Sequence, residues 1–446
     1  MNIVLQLAFA LMAGFAIWLF TRNINRIRTL ILLGKPETIA TSQKERIRNL
    51  ALLAFGQKKM FKNPLVAILH LVIYLGFIII NVEVLEIVLD GLLGTHRLFA
   101  SLLGHGLYRF LINSFEWMAL GVIVVCVIFL IRRNTLKLKR FASNDLNGWP
   151  RSDANYILLA EIVLMSLFLK MNAADSVLQL REYGHYADAQ VGLFAVSHWL
   201  VPFFDGFKTP TLYVLERTFW WLHIAGILAF LNYLPYSKHL HILFAFPNAW
   251  FARPDVQGKM ANMPEIQKEV ALALGQDIST NPVLAALPDA PPASFGAKDV
   301  FDLSWKNLLD AYSCTECGRC SAACPANTTG KALSPRTIMM KTRDRLEEIG
   351  KNMKGNGGNF KSDGKSLLHD YITVEELRAC TTCNACVEEC PVSISPLDII
   401  LKQRRYLILD ESNSPGEWNA MFSNIENNMA PWKFAPDERE AWIHEG

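Results

Sequence analysis

Two copies of one cysteine pattern constrain this chain more than any other feature. Cys314-Thr-Glu-Cys317-Gly-Arg-Cys320-Ser-Ala-Ala-Cys324-Pro325 and Cys380-Thr-Thr-Cys383-Asn-Ala-Cys386-Val-Glu-Glu-Cys390-Pro391 are both C-x2-C-x2-C-x3-C-P runs. Such spacing holds a cubane 4Fe–4S cluster with three thiolates and lends the fourth cysteine to the neighbouring cluster. The expected ligand sets are therefore crossed: Cys314, Cys317, Cys320 and Cys390 around one cluster, Cys380, Cys383, Cys386 and Cys324 around the other. Eight of the nine cysteines sit in these runs. Zinc usually takes two well-separated pairs of ligands, and a disulfide framework needs an oxidising compartment. Both alternatives explain a doubled, proline-closed run less well.

With 446 residues the chain is long enough for two or three domains, and its composition is split. The first 245 residues are dominated by long apolar runs, and the rest reads as an ordinary soluble sequence. A net charge of +3 gives no nucleic-acid signal, because the basic residues cluster beside the apolar runs. Residues 1–22 resemble a signal peptide only superficially: no charged region precedes the apolar stretch and no clear cleavage site follows. The reading is a retained membrane helix.

Segments at roughly 3–22, 64–89, 113–131, 154–172 and 214–237 have the length and apolarity to cross a hydrocarbon core of about 30 Å. Their connecting loops differ in charge. Loops 22–62 and 132–153 carry sixteen Lys and Arg between them, Lys137 included, and loops 91–112 and 173–216 carry four. The excess of basic residues in cytoplasmic loops places the N-terminus outside and the cysteine-rich part in the cytoplasm, a multi-pass arrangement in the inner membrane. A reducing cytosol also suits cluster assembly. The outer stretch Val191–Leu200 is amphipathic enough to lie along the outer surface, or it forms a plain loop helix.

Ionisable residues inside a membrane are costly and carry functional hypotheses by default. His70 lies two turns into the second segment. His223 and His241 are 18 residues apart in the fifth, which on a continuous helix puts them on one face about 27 Å apart. On that phase His239 points away, toward water or headgroups, although Pro235 can kink the helix between them. Glu83, Glu86, Glu116 and Glu161 also fall within these spans. Glu161 and Glu83 are candidates for relaying protons to a quinone; an interfacial position accounts for Glu83, Glu86 and Glu116 nearly as well. Cys126, alone in an apolar segment, reads as a small hydrophobe.

At these residues a resemblance becomes specific. Residues 1–245 resemble the five-helix cytochrome b fold of the nitrate reductase gamma subunit and the heterodisulfide reductase membrane subunit. Pro235-Tyr-Ser-Lys-His-Leu-His241 matches that family's signature at the inner end of the last helix. The resemblance implies that His70 and His241 are the axial pair of a haem b near the cytoplasmic side, and His223 matches the histidine of an outer haem. The two-haem pattern departs at Ile80, where a second histidine is needed; Asn81 is the polar residue nearby. His223 is left to a second haem with a partner such as His105 or His198, to a quinone, or to a plain hydrogen bond inside the bundle. One haem is the main expectation and two the runner-up.

Residues 246–299 read as a linker, with the proline-rich stretch Asp277–Ser294 letting a soluble domain reach from the membrane. Residues 300–410 read as helical. One helix from about Leu303 delivers Cys314, another opens at Ser334-Pro335, a third follows the capping box Thr373–Glu376, and a fourth begins at Ser395-Pro396. Equivalent cysteines are 66 residues apart with helix between them. That resembles the α-helical ferredoxin of succinate dehydrogenase, heterodisulfide reductase and glycerol-3-phosphate dehydrogenase iron–sulphur subunits. In the last two groups Cys-Cys-Gly domains follow; none occurs here, so the catalytic module is expected on another chain. Residues 411–446, with Trp418, Trp432, Phe434 and Trp442, read as a docking tail or as loose packing on the chain's own domain.

The expected fold is all-α: a five-helix transmembrane cytochrome b bundle followed by an α-helical ferredoxin domain with two 4Fe–4S clusters. The expected function is a membrane-anchored subunit of a quinone-linked oxidoreductase complex. It exchanges electrons between menaquinone and a cytoplasmic partner, either a Cys-Cys-Gly-domain iron–sulphur subunit, an electron-transfer flavoprotein or another flavoprotein dehydrogenase. Alternatives are a membrane-tethered iron–sulphur redox sensor without quinone activity, and a transporter, for which no inverted repeat is visible.

Overall fold

The computed structural model describes residues 3–136, 138–141, 143, 146–187, 190–253, 260, 262–288 and 294–444. Lys137 and parts of the expected linker, 254–259, 261 and 289–293, lie outside the described residues. Among those described no strand forms, and only two isolated bridges occur.

Among the described residues five helices are long and apolar enough to cross a membrane: α1 (Ile3–Ile31), α2 (Pro64–Leu93), α3 (His105–Asn134), α4 (Trp149–Leu180) and α5 (Thr209–Tyr233, its apolar span continuing to Tyr236). They run longer than hydropathy alone marks, because their ends bury polar side chains in the bundle. Phe9, Ile112, Phe115, Phe168, Trp220 and Ile224 fill its core. The outward surface stays apolar: Leu7, Leu11 and Phe15 of α1 are 59%, 74% and 62% exposed. Water would penalise such a belt, whereas lipid does not.

The fifth span does not continue to His241. Backbone hydrogen bonding changes at Leu234-Pro235, passes through two short 3-10 turns, and resumes in α6 (His241–Trp250). Proline removes a donor, and the buried Asp153 captures what the break exposes: its carboxylate accepts from Ser237 Oγ at 2.7 Å, from Lys238 N at 3.0 Å and from the Tyr233 hydroxyl. The single-face argument that set His241 apart from His239 therefore fails.

The cysteine-bearing part is helical as expected: α7 (Trp305–Ser313), α8 (Arg319–Ala323), α9 (Pro335–Gly355), α10 (Val374–Arg378), α11 (Ala385–Glu389) and α12 (Pro396–Leu409). Ser304, Thr373 and Ser395 cap α7, α10 and α12 through their side chains. Contrary to a domain reaching away on a connector, it packs directly on the bundle. Ile27, Leu30 and Ile31 of α1 share one core with Leu308, Tyr312, Leu346 and Ile399. Arg26 pairs with Glu347 at 2.7 Å, and Arg253 with Glu37 and Asp398 at 3.0 and 3.1 Å. The cysteine-bearing part is thus docked at the end where the basic loops lie. In α13 (Gly416–Asn428) no residue is buried.

Candidate redox centres

Both cysteine runs fold alike. The residue before the second cysteine and the residue after it are left-handed in each: Glu316 and Gly318 in the first run, Thr382 and Asn384 in the second. One helical turn follows, α8 or α11, and Cys324 and Cys390 close the runs in extended conformation before proline. At Gly318, with φ +74°, glycine takes the left-handed conformation without cost, and a Cβ there would lie 2.6 Å from Arg336 Nη1, which would have to shift.

The helices α8 and α11 lie side by side, and this brings the fourth cysteine of each run toward the other run. Cys324 lines one small cavity together with Cys380, Cys383 and Cys386. Cys390 lies within electrostatic range of Cys314, Cys317 and Cys320. All nine cysteines are free. Among the described residues no three His, Cys, Asp or Glu side chains converge closely enough for a single metal ion, while the quartet with Cys324 surrounds a small space of its own. Burial pushes the Cys314 and Cys386 thiols up to about 12, and Cys390 to about 11. Thiolates there need a positive inorganic core beside them. Backbone amides already aim at sulfur, Thr382 N at Cys380 Sγ (3.4 Å) and Ile394 N at Cys390 Sγ (3.3 Å). Cys383 is the exposed member.

A second cavity, of about 470 Å³, lies between α2, α3 and α4 and runs down to the first cysteine run; ligand pockets usually span about 300–1,000 Å³. His70 and His241 both line it, and so do Cys317, Thr315, Pro391 and Val392. Each histidine has its Nδ1 engaged by an oxygen acceptor: His70 by Gln57 Oε1 at 2.9 Å, His241 by the Lys238 carbonyl at 3.1 Å. That fixes the tautomer and leaves the lone pair on Nε2, the arrangement found in metal-bound imidazoles. Burial holds His241 below its ordinary range and so neutral. The residues present fit a bis-histidine haem.

His239 corrects an expectation. It lines the same cavity rather than meeting water, its ring 5.4 Å from that of His241. Burial, followed by the nearby His241 and His70, lowers it to about 3.

Two side chains from the first run hold the elements that carry the histidines. Glu316 pairs with Lys238 at 2.7 Å and with Arg343, and the Lys238 carbonyl orients His241. Arg319 donates to the carbonyls of Lys59 (3.0 Å) and Met60 (3.4 Å), in the segment that carries Gln57. Neither Gln57, Glu316 nor Arg319 was legible as a site residue; only the position of Lys238 inside the signature hinted at a role.

His223 is fully buried on α5, its Nδ1 donating to Leu164 O at 3.0 Å. Its Nε2 lies 3.9 Å from Glu83 Oε2, and neither atom has a hydrogen-bond partner. It thus meets a carboxylate and not a second histidine: His198 is engaged with Phe194 O and His105 is exposed. Ile80, Asn81, Cys126 and Glu161 line the large cavity. Glu83, Glu86 and Glu116 are buried within the bundle, at 3%, 3% and 0% exposed. The stretch 191–200 has two faces: Leu193 and Trp199 are 61% and 57% exposed. Val191, Phe194 and Val196 are buried, and the amides of Val196 and Ser197 donate to Glu116 at 2.7 and 3.1 Å.

Residues 313–394 match the family model for a 4Fe-4S dicluster domain. The chain is 28% identical to the probable iron-sulfur-binding oxidoreductase FadF of Bacillus subtilis, over 98% of this chain and 61% of that protein. It is 25% identical to the EtfAB:quinone oxidoreductase of Syntrophomonas wolfei, over 90% and 54%. A probable membrane-anchored ferredoxin of Chromohalobacter salexigens is 32% identical over 38% of this chain and 27% of its own length. The chain therefore spans less than two thirds of the relatives it matches along most of its length. No solved structure matches. The chain is accordingly related to iron–sulphur oxidoreductases, and it carries a 4Fe–4S dicluster domain beside five apolar helices.

Proposed function

We propose that this chain is a membrane-anchored electron-transfer unit. It passes electrons between menaquinone in the bilayer and a cytoplasmic iron–sulphur or flavoprotein module outside these 446 residues. Two 4Fe–4S clusters and one haem b supply the one-electron carriers. One observation carries the reading: a single cavity is lined both by the two oriented histidines and by Cys317 of the first run.

The proposed roles follow from position. Cys314, Cys317, Cys320 and Cys390 hold the cluster beside the cavity, with Cys390 supplied by the second run. Cys324, Cys380, Cys383 and Cys386 hold the other, whose exposed Cys383 marks the side open to a partner. His70 and His241 grip the haem between α2 and the start of α6. Lys238 and Glu316 link the His241 turn to the first run, so ligand and cluster keep a fixed relation. Toward the lipid, half-exposed Phe77 and Ile78 of α2 line the same cavity, which gives a quinone a lateral approach, and Glu161 in its wall is placed to pass protons. The basic loops beside the docked domain support an N-terminus outside and a cytoplasmic cluster domain. The names of two relatives, a quinone oxidoreductase for EtfAB and a membrane-anchored ferredoxin, support the same reading.

The test is a reduced-minus-oxidised optical spectrum of the anaerobically purified chain, with iron, acid-labile sulfide and haem assays. About eight non-haem irons and one b-type haem per chain are expected. His70→Ala and His241→Ala should each abolish the haem band and leave the clusters in place. Cys390→Ala should perturb the cluster of the first run; a change confined to the cluster of the second run rejects the crossed arrangement. A chain with clusters and no haem is what the sensor reading expects.

A further inference from the structure

Electron transfer leaves one feature of the large cavity unused. Four guanidinium groups, those of Arg132, Arg133, Arg140 and Arg319, stand in its wall. Arg132, Arg140 and Arg319 are close enough to repel one another. Their recorded partners are carbonyl oxygens and one ring: Arg319 bonds Lys59 O and Met60 O, Arg133 bonds Pro150 O at 3.4 Å, and Arg133 and Arg140 lie over Phe141. Among the described residues none of the four forms an ion pair, and Arg133 Nε is buried with no partner at all.

The nearby carboxylates are already engaged. Glu316 is taken by Lys238 and Arg343, and Asp153 by the turn at Ser237 and Lys238. Glu161 stands about two helical turns beyond Asp153 on α4. Burial, and then Arg132 and Arg319, hold the Arg140 guanidinium below its usual range, with Cys317 opposing them. Like charges gathered in a part-buried wall are costly unless an anion joins them. Planar guanidinium groups suit a carboxylate, because they can bind both of its oxygens.

We propose that Arg132, Arg133, Arg140 and Arg319 form a carboxylate-binding wall that takes the two propionates of the haem, turning its propionate edge toward the cysteine quartet that contains Cys317. This rests on the haem reading above and adds an orientation to it. Arg319 lies within the first run itself, so the residues that hold that cluster also hold the porphyrin edge facing it.

The test compares haem b with its dimethyl ester, in which both propionates are uncharged, during reconstitution of the full chain purified without haem. Wild type should bind haem b at least about tenfold more tightly than the ester, the scale of one charge-assisted bond. Arg140→Gln/Arg319→Gln and Arg132→Gln/Arg133→Gln should lose most of that preference and keep the bis-histidine spectrum, and the matching Lys variants should keep part of it. Equal affinity of wild type for haem and ester overturns the proposal. So does a Gln variant whose preference is unchanged while the potential of the first cluster shifts, since the arginines would then serve the cluster. If wild type binds neither compound, the haem reading itself fails. Helical circular dichroism and iron content screen for misfolded variants, and the Lys variants keep the question answerable where a Gln variant does not fold.

Discussion

The two ends of the helical bundle are built on opposite plans. On the cluster side the helices stand apart around a cavity, and among the described residues the four guanidinium groups in its wall form no ion pair. At the far end the same helices close on a polar network. Arg97 donates to Asp175 (2.6 Å), Tyr108 (3.0 Å) and Asn172 (2.9 Å), Tyr108 donates to Glu86 (2.7 Å), and Asn172 to Glu116 (3.0 Å). Asp90 accepts from the amides of Arg97 and Leu98. A buried charge costs several kcal/mol unless it is paired. The far end meets that cost with its own side chains, whereas the four guanidinium groups at the near end have no carboxylate of their own among the described residues. Phe168, Tyr108 and Trp220 are buried in the bundle core.

The largest expected effect tests the filled end. Arg97→Ala removes the hub and strands Asp175 and Glu86, so thermal melting of the helices in detergent should show a loss of about 3–5 kcal/mol. Arg132→Ala at the hollow end, in haem-free protein, should cost less than about 1 kcal/mol. Equal losses would erase the contrast.

Acid should separate the ends next. The floor of the cavity is the docked cluster domain, and Asp398 helps to hold it. Although burial opposes ionisation, Arg253 and Lys402 lower Asp398 from 3.8 to about 2. A depressed carboxylate contributes stability that is present above its unfolded value and lost as pH falls through the folded one. About 2 kcal/mol of docking should therefore disappear between pH 3.8 and pH 2. Asp398→Asn should flatten that step in cluster-free protein followed by hydrogen exchange; a step that persists in the variant belongs to another group.

A smaller effect probes the boundary between the halves, where His223 Nε2 and Glu83 Oε2 face each other unpartnered. Glu83→Gln supplies an amide donor to an imidazole nitrogen that lacks one, and should leave stability unchanged or raise it by about 1 kcal/mol. A clear loss would show that the carboxyl group itself is needed there. Smallest of all is Lys62→Ala, which breaks exposed pairs with Glu388 and Glu389; less than about 1 kcal/mol is expected. A larger loss would make these surface pairs part of the docking.

Much of this architecture is legible residue by residue. Ser304, Thr373 and Ser395 announce three helix starts, because capping is a local interaction. Apolar length marks the five spans, because bilayer thickness sets it. The single-face relation of His223 to His241 was not legible, since it assumed a helix that Asp153, over 80 residues upstream, helps to terminate. Gln57 carries no motif, and its link to His70 exists only because the segment before α2 folds back onto that helix. Arg132, Arg133 and Arg140 read as topology signals; that they share a wall with Arg319 depends on docking.

By itself the sequence determined the cysteine chemistry, the helical content and the number of apolar spans, all of which depend on short-range spacing and side-chain type. Tertiary structure decided which histidines meet in one cavity, that this cavity reaches Cys317, and that one end of the bundle is closed by its own charges while the other is not. Those outcomes depend on pairings between residues tens to hundreds of positions apart, such as Lys238 with Glu316 or Arg97 with Asp175. No local pattern encodes them, because a buried charge takes whichever partner the packing of whole helices brings within reach.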